Sequence, residues 1–296
     1  MATSQNRRSA IKNIMAGAAA ITAGGMLSSF KNEEKKEMLT DKLKGNINHS
    51  VCPWAYHELT LSELCTVAKD IGLVAIDLCG PNEWPVIQKF GLDSAMCNGA
   101  EINLTDGFND PQFHATLFKK YSEMIPLVAK NGYTNLICFS GSRRGKDNET
   151  GWNNCVAGLK PLIAIAEKNK VVLSMELLNS KVDHKDYQCD HVEWGVELAN
   201  RLGSENFKLL FDIYHMQIME GDIIRNITDY HQYINHYHTG GVPGRHEIDD
   251  TQELYYPAIM RAIVATGFKG VVAQEFVPKQ PDKIASLRNA IHICDV

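Results

Sequence analysis

From Gly45 onward, short apolar runs alternate with helix-length amphipathic stretches, and they do so eight times. The strand candidates are NINHSVC, LVAIDL, SAMCNG, TNLICFS, VVLSME, KLLFD, INHYH and VVAQE. Between them lie helix candidates at Leu61–Ile71, Glu83–Phe90, Pro111–Asn131, Trp152–Asn169, His191–Leu202, Asp222–Tyr233 and Tyr255–Thr266, and Asp282–Cys294 closes the chain. Glycines at 72, 91, 132, 203 and 267 stand where helices would stop, each just before the next run. Eight strand–helix units over about 250 residues predict a single-domain (β/α)8 barrel. An open doubly wound sheet would need a Gly-rich phosphate turn after its first strand, and Ser50-Val51-Cys52-Pro53-Trp54 stands there instead.

Four of the later runs end in a metal-binding side chain: Glu176, Asp212, His238 and Glu275. They are spaced 36, 26 and 37 residues apart, with room for one helix between each pair. A parallel barrel gathers its strand ends on one face, where barrel active sites lie. Strand side chains alternate in direction, so Ser174 shares a face with Glu176, Leu210 with Asp212, His236 with His238 and Ala273 with Glu275. All four candidates are therefore compatible with pointing into the barrel mouth. Any one of them alone reads equally well as a strand-end group meeting solvent. Three carboxylates converging without compensation would repel and raise one pKa. A divalent cation removes that repulsion. Oxygen ligands with one nitrogen favour Mn²⁺, Mg²⁺ or Co²⁺ over a purely structural Zn²⁺.

Further residues fall near the same face. His215 lies three positions after Asp212, and Arg245 sits in the turn Gly240 to Glu247 just past His238. Arg245 would hold a substrate carboxylate or hydroxyl, or else pair with Glu247 or Asp249 at the surface. His215 would face the site or cap the following helix. Trp54 and His57, after the first strand, are candidates to line the mouth. His114, His191, His231 and His292 lie on helix-like segments and read as surface or packing residues.

The N-terminus does not read as part of the barrel. Arg7, Arg8 and Lys12 precede the weakly apolar run IMAGAAAITAGGML, and small residues follow. Residues 1–29 resemble a twin-arginine export signal, although Ala10 stands where a bulky residue is usual. No cysteine follows closely enough to suggest a lipid anchor. Residues 30–44 are polar and charged and read as a linker, leaving 45–296 as the barrel. The expected location is periplasmic. Twin-arginine export carries folded proteins, so a metal would be loaded before transport. The eight cysteines form no CxxC pair and sit mostly in apolar runs, as buried free thiols do.

A formal net charge of −5 argues against a general nucleic-acid surface. After the first 29 residues no segment approaches the roughly 18 apolar residues of a membrane helix. The expected partner is a small sugar or keto acid, with neither nucleic acid nor a membrane anchor. A homo-oligomer is compatible with this reading, and nothing in the sequence fixes the number of subunits.

Several motifs carry a family resemblance. They are Met175-Glu176-Leu177-Leu178-Asn179, Phe211-Asp212-Ile213-Tyr214-His215-Met216-Gln217, Gly241-Val242-Pro243-Gly244-Arg245-His246-Glu247 and Gln274-Glu275-Phe276. From about Gly45 to its end the chain resembles the xylose-isomerase-like TIM barrels, and within them the hydroxypyruvate isomerase family. The resemblance implies that Glu176 and Glu275 are an acid/base pair that also binds metal. It implies that Asp212 is a further ligand and that His215 contacts a substrate oxygen. Hydroxypyruvate isomerases usually place glutamine where His238 stands, whereas ketohexose 3-epimerases and inosose enzymes place histidine there. The resemblance thus implies a metal-dependent aldose–ketose isomerase, with epimerase and keto-sugar isomerase or dehydratase activities as alternatives. A non-catalytic sugar-binding barrel is a lesser one. The superfamily also contains endonuclease IV, whose zinc cluster needs histidines from early strands. Here strands two and three end in Asp77 and Asn98.

Overall fold

A computed structural model describes residues 42–296. The expected export signal and most of the expected linker lie outside the described residues. Eight parallel strands form one sheet: β1 (Asn48–Val51), β2 (Ala75–Ile76), β3 (Asp93–Ser94), β4 (Asn135–Cys138), β5 (Val172–Glu176), β6 (Phe207–Asp212), β7 (Ile234–Thr239) and β8 (Val271–Gln274). Their order is β3-β2-β1-β8-β7-β6-β5-β4, so β1 pairs with β8 as a barrel requires. An isolated parallel bridge from Cys97 to Leu136 links the β3 side to β4. There Cys97 N–H donates to the Asn135 carbonyl at 2.9 Å, and Ile137 N–H donates to the Cys97 carbonyl at 2.9 Å.

The helices are α1 (Leu61–Ile71), α2 (Trp84–Lys89), α3 (His114–Lys130), α4 (Asn148–Asn169), α5 (Val192–Leu202), α6 (Ile213–Met219), α7 (Ile223–Tyr230), α8 (Tyr256–Ala265) and α9 (Lys283–Cys294). Their boundaries follow local chemistry. Thr60 and Glu63 cap α1 reciprocally. Helix α4 starts four residues before the expected Trp152, because the Asp147 carboxylate accepts the Thr150 N–H at 2.8 Å. The five stop glycines all have positive φ, which a residue without Cβ adopts at no steric cost.

Two departures from the sequence reading concern the strands. β3 occupies Asp93–Ser94, at the front edge of the expected SAMCNG run. In β7 the pairing with β6 jumps from Leu209–Ile234 to Leu210–His236, so Asn235 is an extra residue in the ladder. Its amide reaches Ser174 Oγ at 2.8 Å, while the pairing resumes in step from His236 to His238. A third departure is α6, which follows β6 without a loop because Asp212 is at once the strand's last residue and the helix N-cap. No helix among the described residues is long and apolar enough to cross a membrane. All eight cysteines are buried and free.

One buried group in β1 makes stability depend on pH. His49 is buried, and neither ring nitrogen has a partner among the described residues. Burial pushes its pKa down to about 4, against the pull of Asp295. The unfolded chain, with an ordinary value near 6.5, therefore takes up the proton first as pH falls. His49 costs the fold nothing above about pH 6.5. Stability declines between there and about pH 4 and levels off below, by at most about 3 kcal/mol. The urea midpoint of the wild type should fall more between pH 7.5 and 4.5 than that of His49→Leu. Equal losses in the two proteins would show that His49 is not the group responsible.

Candidate active site

The ends of four neighbouring strands bring Glu176, Asp212, His238 and Glu275 to one point. Glu176 ends β5, Asp212 ends β6, His238 is the fifth residue of β7 and Glu275 follows β8 directly. One ligand atom from each lies within 4.8 Å of all the others, and all four residues are buried. His238 Nδ1 stands 2.5 Å from Glu275 Oε2, 3.2 Å from Glu176 Oε1 and 4.0 Å from Asp212 Oδ2.

The other ring nitrogen decides which way His238 faces. Its Nε2 lies 2.8 Å from Asp77 Oδ2, and Asp77 also lies 3.2 Å from His236 Nε2. Asp77 follows the short strand β2 and is fully buried. Burial opposes its ionisation, yet His236 and His238 hold its carboxyl down at about 2. A carboxylate that accepts Nε2–H leaves Nδ1 aimed at the three other carboxylates, which is how a metal-binding imidazole is oriented.

Arg245 closes the cluster from above. Its Nη2 donates to Asp212 Oδ2 at 2.8 Å and to Glu275 Oε2 at 2.5 Å. The guanidinium also lies over the Trp54 and Tyr214 rings, at 5.6 and 5.3 Å from their centroids. Glycine lets the turn carry this residue inward: a Cβ at Gly241 would collide with the Glu247 carbonyl. Glu247 is occupied elsewhere, accepting from Lys279 N, Gln280 N and Ser286 Oγ. Arg245 therefore pairs inward with Asp212 and Glu275 rather than at the surface with Glu247.

The charges explain the remaining electrostatics. Burial works against Glu275 as an anion, but Arg245 and His238 hold its carboxyl well below the usual range. Burial pushes Asp212 up to about 7, and the Glu275 and Glu176 charges add to this against Arg245 and His238. Burial would lower His238, but Glu275, Asp77 and Glu176 raise it well above its ordinary value. Burial and the adjacent Arg245 push His215 well down. Glu176, Asp212 and Glu275 thus converge with one imidazole nitrogen, an oxygen-rich donor set that suits a divalent cation.

Of the other expected residues, His215 and Trp54 come to the cluster. His215 is fully buried, with Nε2 3.7 Å from Asp212 Oδ2. Its backbone N–H donates to Asp212 Oδ1 at 3.1 Å, so it lies in the first turn of α6 and is capped rather than capping. Trp54 Nε1 donates to Glu275 Oε1 at 2.9 Å, while 46% of the residue remains exposed. His57 does not join them. It ends the 3₁₀ turn Pro53–Tyr56 with its side chain 76% exposed, beside Glu58 at 3.6 Å. Beside the cluster, sharing Arg245 with it, lies an open cleft of about 420 Å³ lined by Val182, Asp183, His184, Tyr214, Ile218 and the turn from Val242 to Arg245.

The sequence reading gave no site role to Asp77, Asn179, Asp183 or His184. Asp77 carried the same signal as the four ligand candidates, a carboxylate at the end of strand two, but that position served only to set the chain apart from endonuclease IV. The other three sit in the loop after β5, where no periodicity marks a direction.

Comparisons with known proteins bear on the family and the fold. The family model described as "Xylose isomerase-like TIM barrel" matches residues 85–291. A putative hydroxypyruvate isomerase of Homo sapiens is 27% identical over 121 residues, covering 41% of this chain and 44% of that protein. A 2-oxo-tetronate isomerase of Cupriavidus necator is 32% identical over 109 residues, covering 37% and 41%. The chain thus spans less than half the length of these two relatives. The crystal structure of an AP endonuclease, family 2, from Brucella melitensis superposes with a TM-score of 0.73 at 20% identity, covering 81% of this chain and 96% of that one. At that identity the likeness shows the fold alone. The strand order, the site at the strand ends and the family match over most of the barrel lead to one conclusion: the chain belongs to the xylose isomerase-like TIM barrel family.

Proposed function

We propose that this chain is a metal-dependent isomerase of a small, unphosphorylated hydroxy-carbonyl compound, with hydroxypyruvate to tartronate semialdehyde as the leading reaction. The observation that carries the reading is the buried cluster of Glu176, Asp212, His238 and Glu275 beneath Arg245. These four residues would hold the ion, for which their donor set favours Mn²⁺, Mg²⁺ or Co²⁺. A divalent cation there supplies a Lewis acid that stabilises negative charge on substrate oxygen.

The chain's own groups account for the proton movements. One glutamate removes the hydrogen on the carbon next to the carbonyl, leaving an enediolate. The same or the opposite glutamate returns a proton to the former carbonyl carbon, and the hydroxyl proton passes between the two oxygens. Glu176 is the better placed to take the first proton. Among the described residues its side chain has one hydrogen-bond partner, His238 at Oε1, whereas both oxygens of Glu275 are engaged by Trp54, Arg245 and His238. Arg245 would orient a carboxylate or hydroxyl of the substrate. It is the one Arg or Lys lining the cleft among the described residues, and Asp183 lines it too, a poor cradle for a phosphate.

A second reading, ketose 3-epimerase or keto-sugar isomerase or dehydratase, is favoured by His238, since histidine at this position resembles the epimerases rather than the hydroxypyruvate isomerases. The readings share a first step and then part: an isomerase returns the proton to the former carbonyl carbon, an epimerase to the carbon that lost it, and a dehydratase expels the neighbouring hydroxyl with a proton as water. Hydroxypyruvate, ketohexoses and inososes assayed with Mn²⁺ and again with chelator separate them. Turnover of one class that chelator abolishes is expected. Failure to turn over any of them would leave a sugar-binding barrel as the better reading.

We further propose export by the twin-arginine route, on the strength of Arg7 and Arg8 before an apolar run without a lipid-anchor cysteine. Replacing both with Lys should keep the protein in the cytoplasm of a bacterial host. An unchanged periplasmic yield would refute this.

A further inference from the structure

The loop after β5 holds His215 more tightly than a mouth residue requires. Asn179 is fully buried, and its side-chain amide makes four contacts. Its Oδ1 accepts the backbone N–H groups of Val182 and Asp183, both at 2.9 Å. Its Nδ2 donates to Asp183 Oδ2 at 2.7 Å and faces His215 Nδ1 at 2.6 Å. Tyr214 O–H donates to the same Asp183 oxygen at 2.8 Å. The two backbone donors fix which end of the amide is oxygen, so the group facing His215 is an N–H donor.

The other side of the ring meets a donor as well. His215 Nε2 lies 3.2 Å from Arg245 Nη1, and a guanidinium has no acceptor. An imidazolium would carry hydrogens against donors on both sides, and Asp212 Oδ2 at 3.7 Å from Nε2 is too far to accept one, so the geometry favours the neutral ring. A neutral ring has one lone pair and can satisfy one neighbour. Asn179 is nearer and is pinned by three other hydrogen bonds. Arg245 is farther and has Asp212 and Glu275 as its main partners. The lone pair therefore belongs at Nδ1 and the hydrogen at Nε2.

We propose that Asn179 is a positioning residue that locks His215 in the tautomer with its hydrogen on Nε2. Nε2–H and Arg245 Nη1 then stand side by side as two donors, and Asp212 Oδ2, 3.7 Å from Nε2, lies beyond hydrogen-bond distance of the imidazole. That arrangement suits a substrate oxygen on which negative charge develops during reaction. The identity of that oxygen rests on the isomerase reading, but the tautomer does not. His215 would act as a hydrogen-bond donor and not as the base, a role left to the glutamates.

The test is long-range ¹H–¹⁵N correlation spectroscopy on ¹⁵N-histidine-labelled full-length protein, with diamagnetic Mg²⁺ added. The His215 signals are assigned by their absence in His215→Gln. The wild type should show a lone-pair nitrogen at Nδ1 and a protonated Nε2. A protonated Nδ1 would overturn the proposal whatever substrate the protein accepts. Asn179→Asp replaces the donor with an acceptor and should move the hydrogen to Nδ1. If it folds and keeps the wild-type tautomer, Asn179 does not set it. Asn179→Ala offers neither and should lose the pure Nε2–H signature, so that an unchanged signature there is equally fatal. On whichever substrate the panel identifies, Asn179→Asp should lower kcat by at least about 10²-fold; in a serine protease a wrong histidine tautomer costs about 10⁴-fold. KM and bound metal should change little. An unchanged kcat with a switched tautomer would refute the donor role. A confirmed tautomer in a protein that turns over nothing would count against the isomerase reading and leave the role of Asn179 in place.

Discussion

Glu176→Gln, saturated with Mn²⁺, should exchange the substrate's alpha proton with deuterated water at least about 10²-fold more slowly than the wild type. A positioned base typically contributes about 10²–10⁴-fold. Glutamine keeps an amide oxygen for coordination and removes the basicity, so metal content and proton transfer can be read apart. Glu275→Gln should also slow exchange, but its measured effect will mix two causes. It removes a carboxylate that faces both His238 and Arg245, leaving those charges less compensated in a buried site. Isotope exchange followed by mass spectrometry, alongside elemental analysis for manganese, separates these outcomes. Exchange at the wild-type rate in both metal-loaded variants would show that the glutamates hold the ion without moving the proton.

Asp212→Asn should lose most of its bound metal while keeping its fold. Asparagine is as good an N-cap as aspartate, so its side-chain oxygen can still accept the His215 N–H that starts α6. What disappears is one of three buried carboxylates around the ion, together with the anion that Arg245 grips at 2.8 Å. Asp77→Asn tests the layer beneath. It can no longer offer His238 Nε2 a charged acceptor, and loss of such an outer partner typically weakens metal affinity about 10–100-fold. The expected order of Mn²⁺ affinity is wild type, then Asp77→Asn, then Asp212→Asn, by calorimetric titration, with circular dichroism as the control for folding. Wild-type affinity in a folded Asp212→Asn would remove that residue from the metal site.

Much of this architecture was legible before any coordinates. Eight apolar runs, glycine stops and helix-length gaps are local signals, and each maps onto an observed element. The extra helix α6 was not legible, because Asp212 serves strand and cap at once and leaves no loop to mark the boundary. Strand-end position picked out Glu176, Asp212, His238 and Glu275, since a parallel barrel sends every strand end to the same face. The same rule overreached at His57, where a 3₁₀ turn directs the side chain to solvent. It fell short at Asp77, which reads as the end of strand two but whose partner, His238, stands 161 positions away.

By itself, then, the amino-acid order determined the repeating units, the chemical character of the strand ends and the family. Those features depend on residue type and on spacing along the chain. Only the tertiary structure decided that Arg245 turns inward between Asp212 and Glu275, that Asp77 fixes the face of His238, and that Asn179 supplies a donor to His215. Those relations join residues 30 to 161 positions apart. They arise where loops of no regular period meet in a buried space, and there the direction of one hydrogen bond depends on every neighbour at once.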